Sequence, residues 1–241
     1  MHDDFLPLAQ FVLLGGGGFS MSTNAPTPLD QYLVSLTNKQ RPRLMFIPTA
    51  SGDSTEYCQR FEAAFSELAD ISVYGLFGGD YGYGHKQELS AQDLVFVGGG
   101  STLNLLAVWR AHGLPEILAE AAAHGTVLAG ISAGANCWAQ ASSTDSTGKL
   151  SALTDGLGWL PGSICPHYRG EIARRDLFHQ WVAQGSLPDG YGIDDGAAML
   201  FRGSELVEVV AERPHATAFR VERTSQGSRE TRLEARLLPS S

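Results

Sequence analysis

The chain has 241 residues, 43% hydrophobic and 18% charged, so it is long enough to bury a substantial core and too apolar to be disordered over most of its length. A net charge of −9, with no dense Lys/Arg stripe outside the tail, argues against nucleic acid as a partner. Three cysteines, Cys58, Cys137 and Cys165, form no CxxC pair, which argues against a disulfide framework and reads as buried small hydrophobes.

The opening stretch has an apolar run that is short and preceded by acids, the wrong pattern for a signal peptide. No run approaches the roughly 20 apolar residues needed to span a membrane. A soluble, cytoplasmic protein is expected. Residues 11–14 read as a buried strand running into glycines at 15–18. Residues 28–37 have helical spacing, 43–47 form a second strand closed by Pro48, and 55–69 an amphipathic helix. Strands follow at 71–76 and 94–97, the latter ending in Gly98, Gly99 and Gly100. Helices are expected over 102–112 and 114–123, split at Gly113, with a fifth strand over 126–129 running into Gly130.

This alternation of strand and helix means an α/β fold with a mostly parallel sheet flanked by helices on both faces. Beyond about residue 150 come short β-like pieces at 157–160, 163–168, 190–194, 197–201 and 206–211, and one helix near 172–184. They are expected as extra strands and hairpins of the same single domain, 1–241. The polar, Arg-rich stretch 222–241 reads equally as a final strand or a flexible tail.

The sharpest local signal is Gly130-Ile131-Ser132-Ala133-Gly134, a G-x-S-x-G pentapeptide placed after a strand and before a helix expected over 136–141. A serine on such a turn projects its hydroxyl from the sheet edge, and the flanking glycines allow close backbone approach. The helix that follows would favour negative charge near the serine. The alternative is an ordinary turn with a surface serine. A hydrolytic serine needs an oxyanion hole. The Ala133 N–H is one candidate donor, and Gly99, at the end of a neighbouring parallel strand, is the second. Nucleotide binding is disfavoured, because neither the loop at Gly98 nor Gly148-Lys149 completes a phosphate-binding pattern.

A serine also needs a base. His2, His85, His112, His124 and His179 read as solvated side chains, leaving His167 in Pro166-His167-Tyr168 and His215 in Pro214-His215-Ala216. The pattern favours His167, while His215 would give the chain order serine, acid, histidine. The acid that orients the base is sought at Asp194 and Asp195, ahead of Gly196, with Asp145 as the rival.

Taken as a set, these residues resemble the peptidase E family, which includes aspartyl dipeptidases and is related to cyanophycinases. The resemblance rests on Val97-Gly98-Gly99-Gly100-Ser101-Thr102, Gly130-Ile131-Ser132-Ala133-Gly134-Ala135-Asn136, Pro166-His167-Tyr168 and Ile193-Asp194-Asp195-Gly196, and covers roughly residues 10–205. It implies a fold similar to class I glutamine amidotransferases, a flavodoxin-like three-layer arrangement with extra C-terminal strands. By position it implies Ser132 as nucleophile, His167 as base, Gly99 and Ala133 as oxyanion donors, and Asp195 where the family often has glutamate. Family dipeptidases hold a substrate aspartate with a basic residue downstream of the histidine. Arg174 is the candidate here, since a guanidinium suits bidentate pairing, and a solvated helix face is its alternative.

The implied activity is that of a serine peptidase on dipeptides or short peptides, Asp-X dipeptides among the candidates. A small peptide is the expected partner, with neither nucleic acid nor membrane, and with a homodimer left open. No metal or organic cofactor is expected. Two rival readings remain: an esterase-like serine hydrolase using His215, and a binding homologue without turnover.

Overall fold

The computed structural model describes residues 6–23 and 25–239; His2 and the last two residues lie outside these. Five strands, Gln10–Leu14 (β1), Arg43–Ile47 (β2), Asp70–Val73 (β3), Leu94–Val97 (β4) and Val127–Ile131 (β5), run parallel in the order β1-β5-β4-β2-β3. The helices between and after them are Pro28–Ser35 (α1), Thr55–Phe65 (α2), Lys86–Leu89 (α3), Thr102–His112 (α4), Leu114–Ala123 (α5) and Ala133–Asn136 (α6). α4 and α5 meet at Gly113, whose φ of 67° suits glycine.

Past Gln10 and Arg43 at their starts, β1, β2, β4 and β5 are apolar and buried because both faces are covered, whereas the edge strand β3 carries Asp70 and Ser72 and is only partly buried. Side chains alternate across a strand. In β1, Phe11 and Leu13 enter one core while Val12 and Leu14 enter another. The same split separates Val95 and Val97 from Leu94 and Phe96 in β4. α1 and α2 cover the second face with Leu29, Leu33, Phe61 and Phe65. α4 and α5 cover the first with Leu105, Trp109 and Leu118.

The chain then forms Ala139–Thr144 (β6), Ser151–Leu153 (β7), Leu160–Cys165 (β8), Arg174–Gln184 (α7), Gly190–Ile193 (β9), Ala197–Arg202 (β10), Glu205–Ala211 (β11), Ala218–Thr224 (β12), Gly227–Arg232 (β13) and Arg236–Leu237 (β14). β10, β11 and β14 extend the first sheet beyond β1. The others build a second sheet, ordered β13-β12-β9-β8-β6-β7. It packs on the first through Trp138, which lies near Phe11, Trp109 and Trp159. α7 covers its far side with Phe178 and Val182.

Several expectations need correction. The late strands form a separate six-stranded sheet as well as an extension of the first. The helix after Ser132 is only Ala133–Asn136, and residues expected to prolong it belong to β6, because Ala141 and Ser142 pair with β8. An apolar run such as 135–139 carries no period that separates a buried strand from a helix. The expected pieces 157–160 and 163–168 are replaced by one strand, β8, after which Pro166, without an N–H, leaves the ladder. The C-terminal stretch is structured: β12 and β13 form a hairpin, and β14 pairs with β11.

Candidate functional site

The carboxyl ends of β1, β4 and β5 meet at one edge, the place where open α/β sheets bind ligands. β5 ends at Ile131, and Ser132 follows with φ 54° and ψ −112°, a conformation L-residues seldom adopt. Such strain costs on the order of 1–3 kcal/mol and persists only where the surroundings impose it. Here they do. A Cβ at Gly130 would overlap the Gly134 carbonyl, and one at Gly134 would overlap the Val97 carbonyl at the end of β4. Both glycines of the pentapeptide are therefore required for the turn to close on itself and on β4.

Ala133 is the first residue of α6, so its N–H has no intrahelical acceptor. Gly99 lies alongside: a Cβ there would sit 3.4 Å from Ser132 Cβ. Its N–H donates to the Tyr57 hydroxyl at 3.2 Å. Ser132 N–H donates to the Leu14 carbonyl, and His167 N–H to the Gly15 carbonyl.

His167 also has a positive φ, 53°. Its Nδ1 lies 2.6 Å from Asp195 Oδ1, and both side chains are largely buried. The hydrogen bond to His167 holds the Asp195 carboxyl below the usual carboxylate range; burial opposes this, and the charges of His167, Arg213 and Arg174 assist it. Asp195 is further fixed through its backbone, since Arg213 donates Nε and Nη2 to its carbonyl at 3.1 and 2.7 Å. Gly16 completes the floor. A Cβ there would collide with Asp195 Oδ1 and come within 2.9 Å of the His167 ring.

The other candidates have different partners. Asp194 turns away from His167 to meet Arg169 (2.9 and 2.5 Å) and to accept from Thr217 N–H at 3.0 Å. Asp145 is exposed and faces Arg174 at 3.6 Å. The fork of Arg174 is used internally: Nε donates to Glu171 Oε2 at 2.5 Å and Nη1 to Ser143 Oγ at 3.4 Å, with the side chain only 3% exposed. Arg174 is thus neither a solvated helix residue nor a free clamp. His215 is exposed, and its ring has no acid partner among the described residues, though its carbonyl accepts from Arg169. His85, His112 and His124 are exposed, whereas His179 is half-buried between Tyr168, Ser228 and Glu230.

Sequence reasoning missed Gly16, Tyr57 and Arg213. The glycine run at 15–18 was a usable signal, because such a run at a strand end marks close approach by another group. Tyr57 and Arg213 carried none, since their roles depend on segments far away in the chain.

An α/β fold with a serine on a strand-to-helix elbow and a buried His–Asp pair at the same sheet edge is the architecture of a serine hydrolase class. The comparisons narrow it. The model for peptidase family S51 matches residues 11–209, and the chain belongs to that family of serine peptidases. It is 44% identical over 218 residues to the uncharacterized peptidase YgaJ of Bacillus subtilis, covering 89% of this chain and 92% of that protein. It is 31% identical over 179 residues to peptidase E of Streptomyces coelicolor, covering 68% and 70%. A crystal structure of a peptidase from an acI-B1 actinobacterium superimposes with a TM-score of 0.69 at 18% identity, over 95% of each chain. Among the described residues no helix is long and apolar enough to cross a membrane.

Proposed function

We propose that this chain hydrolyses dipeptides or short peptides through an acyl-enzyme on Ser132. The observation that carries the reading is the His167–Asp195 hydrogen bond of 2.6 Å, beside the glycine-lined end of β1 whose other edge holds Ser132. With Nδ1–H donating to Asp195, Nε2 is left to accept the Ser132 proton. Oγ then bonds to the substrate carbonyl carbon, and the carbonyl oxygen takes the electron pair. As the tetrahedral intermediate collapses, the C–N bond breaks and His167 returns the proton to the leaving amine. Water, deprotonated by the same imidazole, releases the acid product and restores Ser132. The Ala133 amide is the proposed backbone donor to the oxyanion, while the Gly99 amide donates to the Tyr57 hydroxyl in the free protein.

The substrate class follows the family, and one relative at 31% identity is named peptidase E. Preference for an N-terminal aspartate gains no support from Arg174, whose guanidinium is held by Glu171. The test is a library of dipeptides and short peptides, with Ser132→Ala as the blank. Ser132-dependent release of free amine is the expected result, and its pattern assigns the side-chain preference. Folded protein with no Ser132-dependent release from any member overturns the reading.

A further inference from the structure

Tyr57 stands on α2, and its ring direction is set by two neighbours. It stacks on Phe19, with centroids 5.5 Å apart and planes at 19°, and meets Phe46 edge-on at 5.3 Å and 87°. The ring passes so close to the end of β4 that a Cβ at Gly98 would lie 2.9 Å from Tyr57 Cε1. This brings the hydroxyl to Gly99, whose N–H donates to it at 3.2 Å. A Cβ at Gly99 would be 3.8 Å from that hydroxyl and 3.4 Å from Ser132 Cβ, so the phenol oxygen and the candidate nucleophile's Cβ both lie within 4 Å of one point.

This geometry has a chemical consequence. In the free protein the Gly99 amide already has an acceptor. A phenol that accepts a hydrogen bond is polarised and becomes a stronger donor. We propose that the Tyr57 hydroxyl is an oxyanion-hole group, donating to the developing oxyanion while Gly99 N–H holds it from behind. The inference rests on the acyl-enzyme reading above. It involves no proton transfer: the O–H stays intact, and only its direction changes. Ser20, whose own proton goes to the Gly17 carbonyl at 3.0 Å, is the resting neighbour of the phenol. Rotation about the phenolic C–O bond re-aims the donor. Burial pushes the Tyr57 hydroxyl up to about 12, so it keeps its proton through the neutral range.

The test is Tyr57→Phe, which keeps the ring and removes only the hydroxyl, measured with a fluorophosphonate probe whose P=O oxygen would occupy the same hole. The second-order labelling rate is expected to fall about 10- to 100-fold, with peptide kcat falling alike and KM within about twofold. Labelling of Tyr57→Phe at the wild-type rate overturns the inference and leaves the acyl-enzyme reading intact. No Ser132-dependent labelling of folded wild-type protein overturns both. Should Tyr57→Phe fold poorly, 3,5-difluorotyrosine at position 57 keeps the shape and the donor but ionises at lower pH. Labelling must then acquire a new alkaline decline, and an unchanged pH profile overturns the inference.

Discussion

Ser132 and His167 are fastened to the two edges of one strand end: Ser132 N–H donates to Leu14 O at 3.1 Å, and His167 N–H to Gly15 O at 3.2 Å. Successive carbonyls of an extended strand point to opposite edges, and neighbouring strands lie about 4.8 Å apart. The two backbones are therefore roughly 10 Å apart across β1. A serine and a histidine side chain can span such a gap only if nothing rises between them. Gly16, against which the imidazole lies, ensures this.

The two histidines should differ in their effect on activity. Ser132→Ala and His167→Ala are each expected to lower kcat by at least about 10³-fold, and combining them should cost little more, because such groups act as a unit. His215→Ala should stay within about twofold, since its ring has no acid partner among the described residues. Fluorophosphonate labelling and steady-state hydrolysis of the best library peptide check all three. Loss of labelling in His215→Ala with retention in His167→Ala would reverse the assignment.

Adjacent aspartates should behave differently. Asp195→Asn removes the acceptor that holds Nδ1–H, and a fall in kcat of up to about 10⁴-fold is expected with little change in thermal midpoint. Asp194→Asn instead weakens the pair between the buried Asp194 carboxylate and the exposed Arg169. It should lower stability by about 1–3 kcal/mol and leave kcat within a few-fold. Denaturant titration run beside kinetics distinguishes the two.

Added methyl groups probe the floor and the elbow. Gly16→Ala places a Cβ against Asp195 Oδ1 and the His167 ring, so activity should drop by about 100-fold or more. Gly134→Ala drives a Cβ into the Val97 carbonyl, and at least about 2 kcal/mol of stability should be lost. Equal activity of Gly16→Ala and wild type would show that the imidazole does not work from this position.

Acid stability should report Glu230. Burial alone would raise its carboxyl, but hydrogen bonds from Arg175, Tyr168 and His179 outweigh this and hold it at about 2, against an ordinary 4.5. A depressed folded-state value means that the stabilisation is complete above pH 4.5 and is lost as pH falls towards 2. Allowing for solvent screening, it amounts to about 1–2 kcal/mol. Urea unfolding from pH 7 down to pH 3 should show a steeper loss for wild type than for Glu230→Gln. Parallel curves would remove Glu230 as the cause.

Much of the site was legible because its signals are local. The run Gly130 to Gly134 encodes the elbow, since a serine at φ 54° with glycines packed against carbonyls needs those residues in that order. The central strands were equally plain: β4 begins and ends where its apolar run does, and β2 adds only the exposed Arg43 to its own, because burial on both faces leaves no polar position inside them. The hairpin of β12 and β13 was ambiguous for the opposite reason. Its outer strand is largely polar, and what holds it is Arg175 and His179 on α7 reaching Glu230.

The sequence by itself determined the parallel α/β core, the turn that carries Ser132, and the short set of histidines and acids worth weighing, because periodicity and turn chemistry act over a few residues. Only the tertiary structure decided that Asp195 meets His167 while Asp194 goes to Arg169, that Arg174 is bound within the protein, and that Tyr57 reaches Gly99. Adjacent residues leave a strand end in opposite directions. The partners that Asp194 and Asp195 find lie 25 and 28 positions away in the chain, and no local pattern records where those segments return.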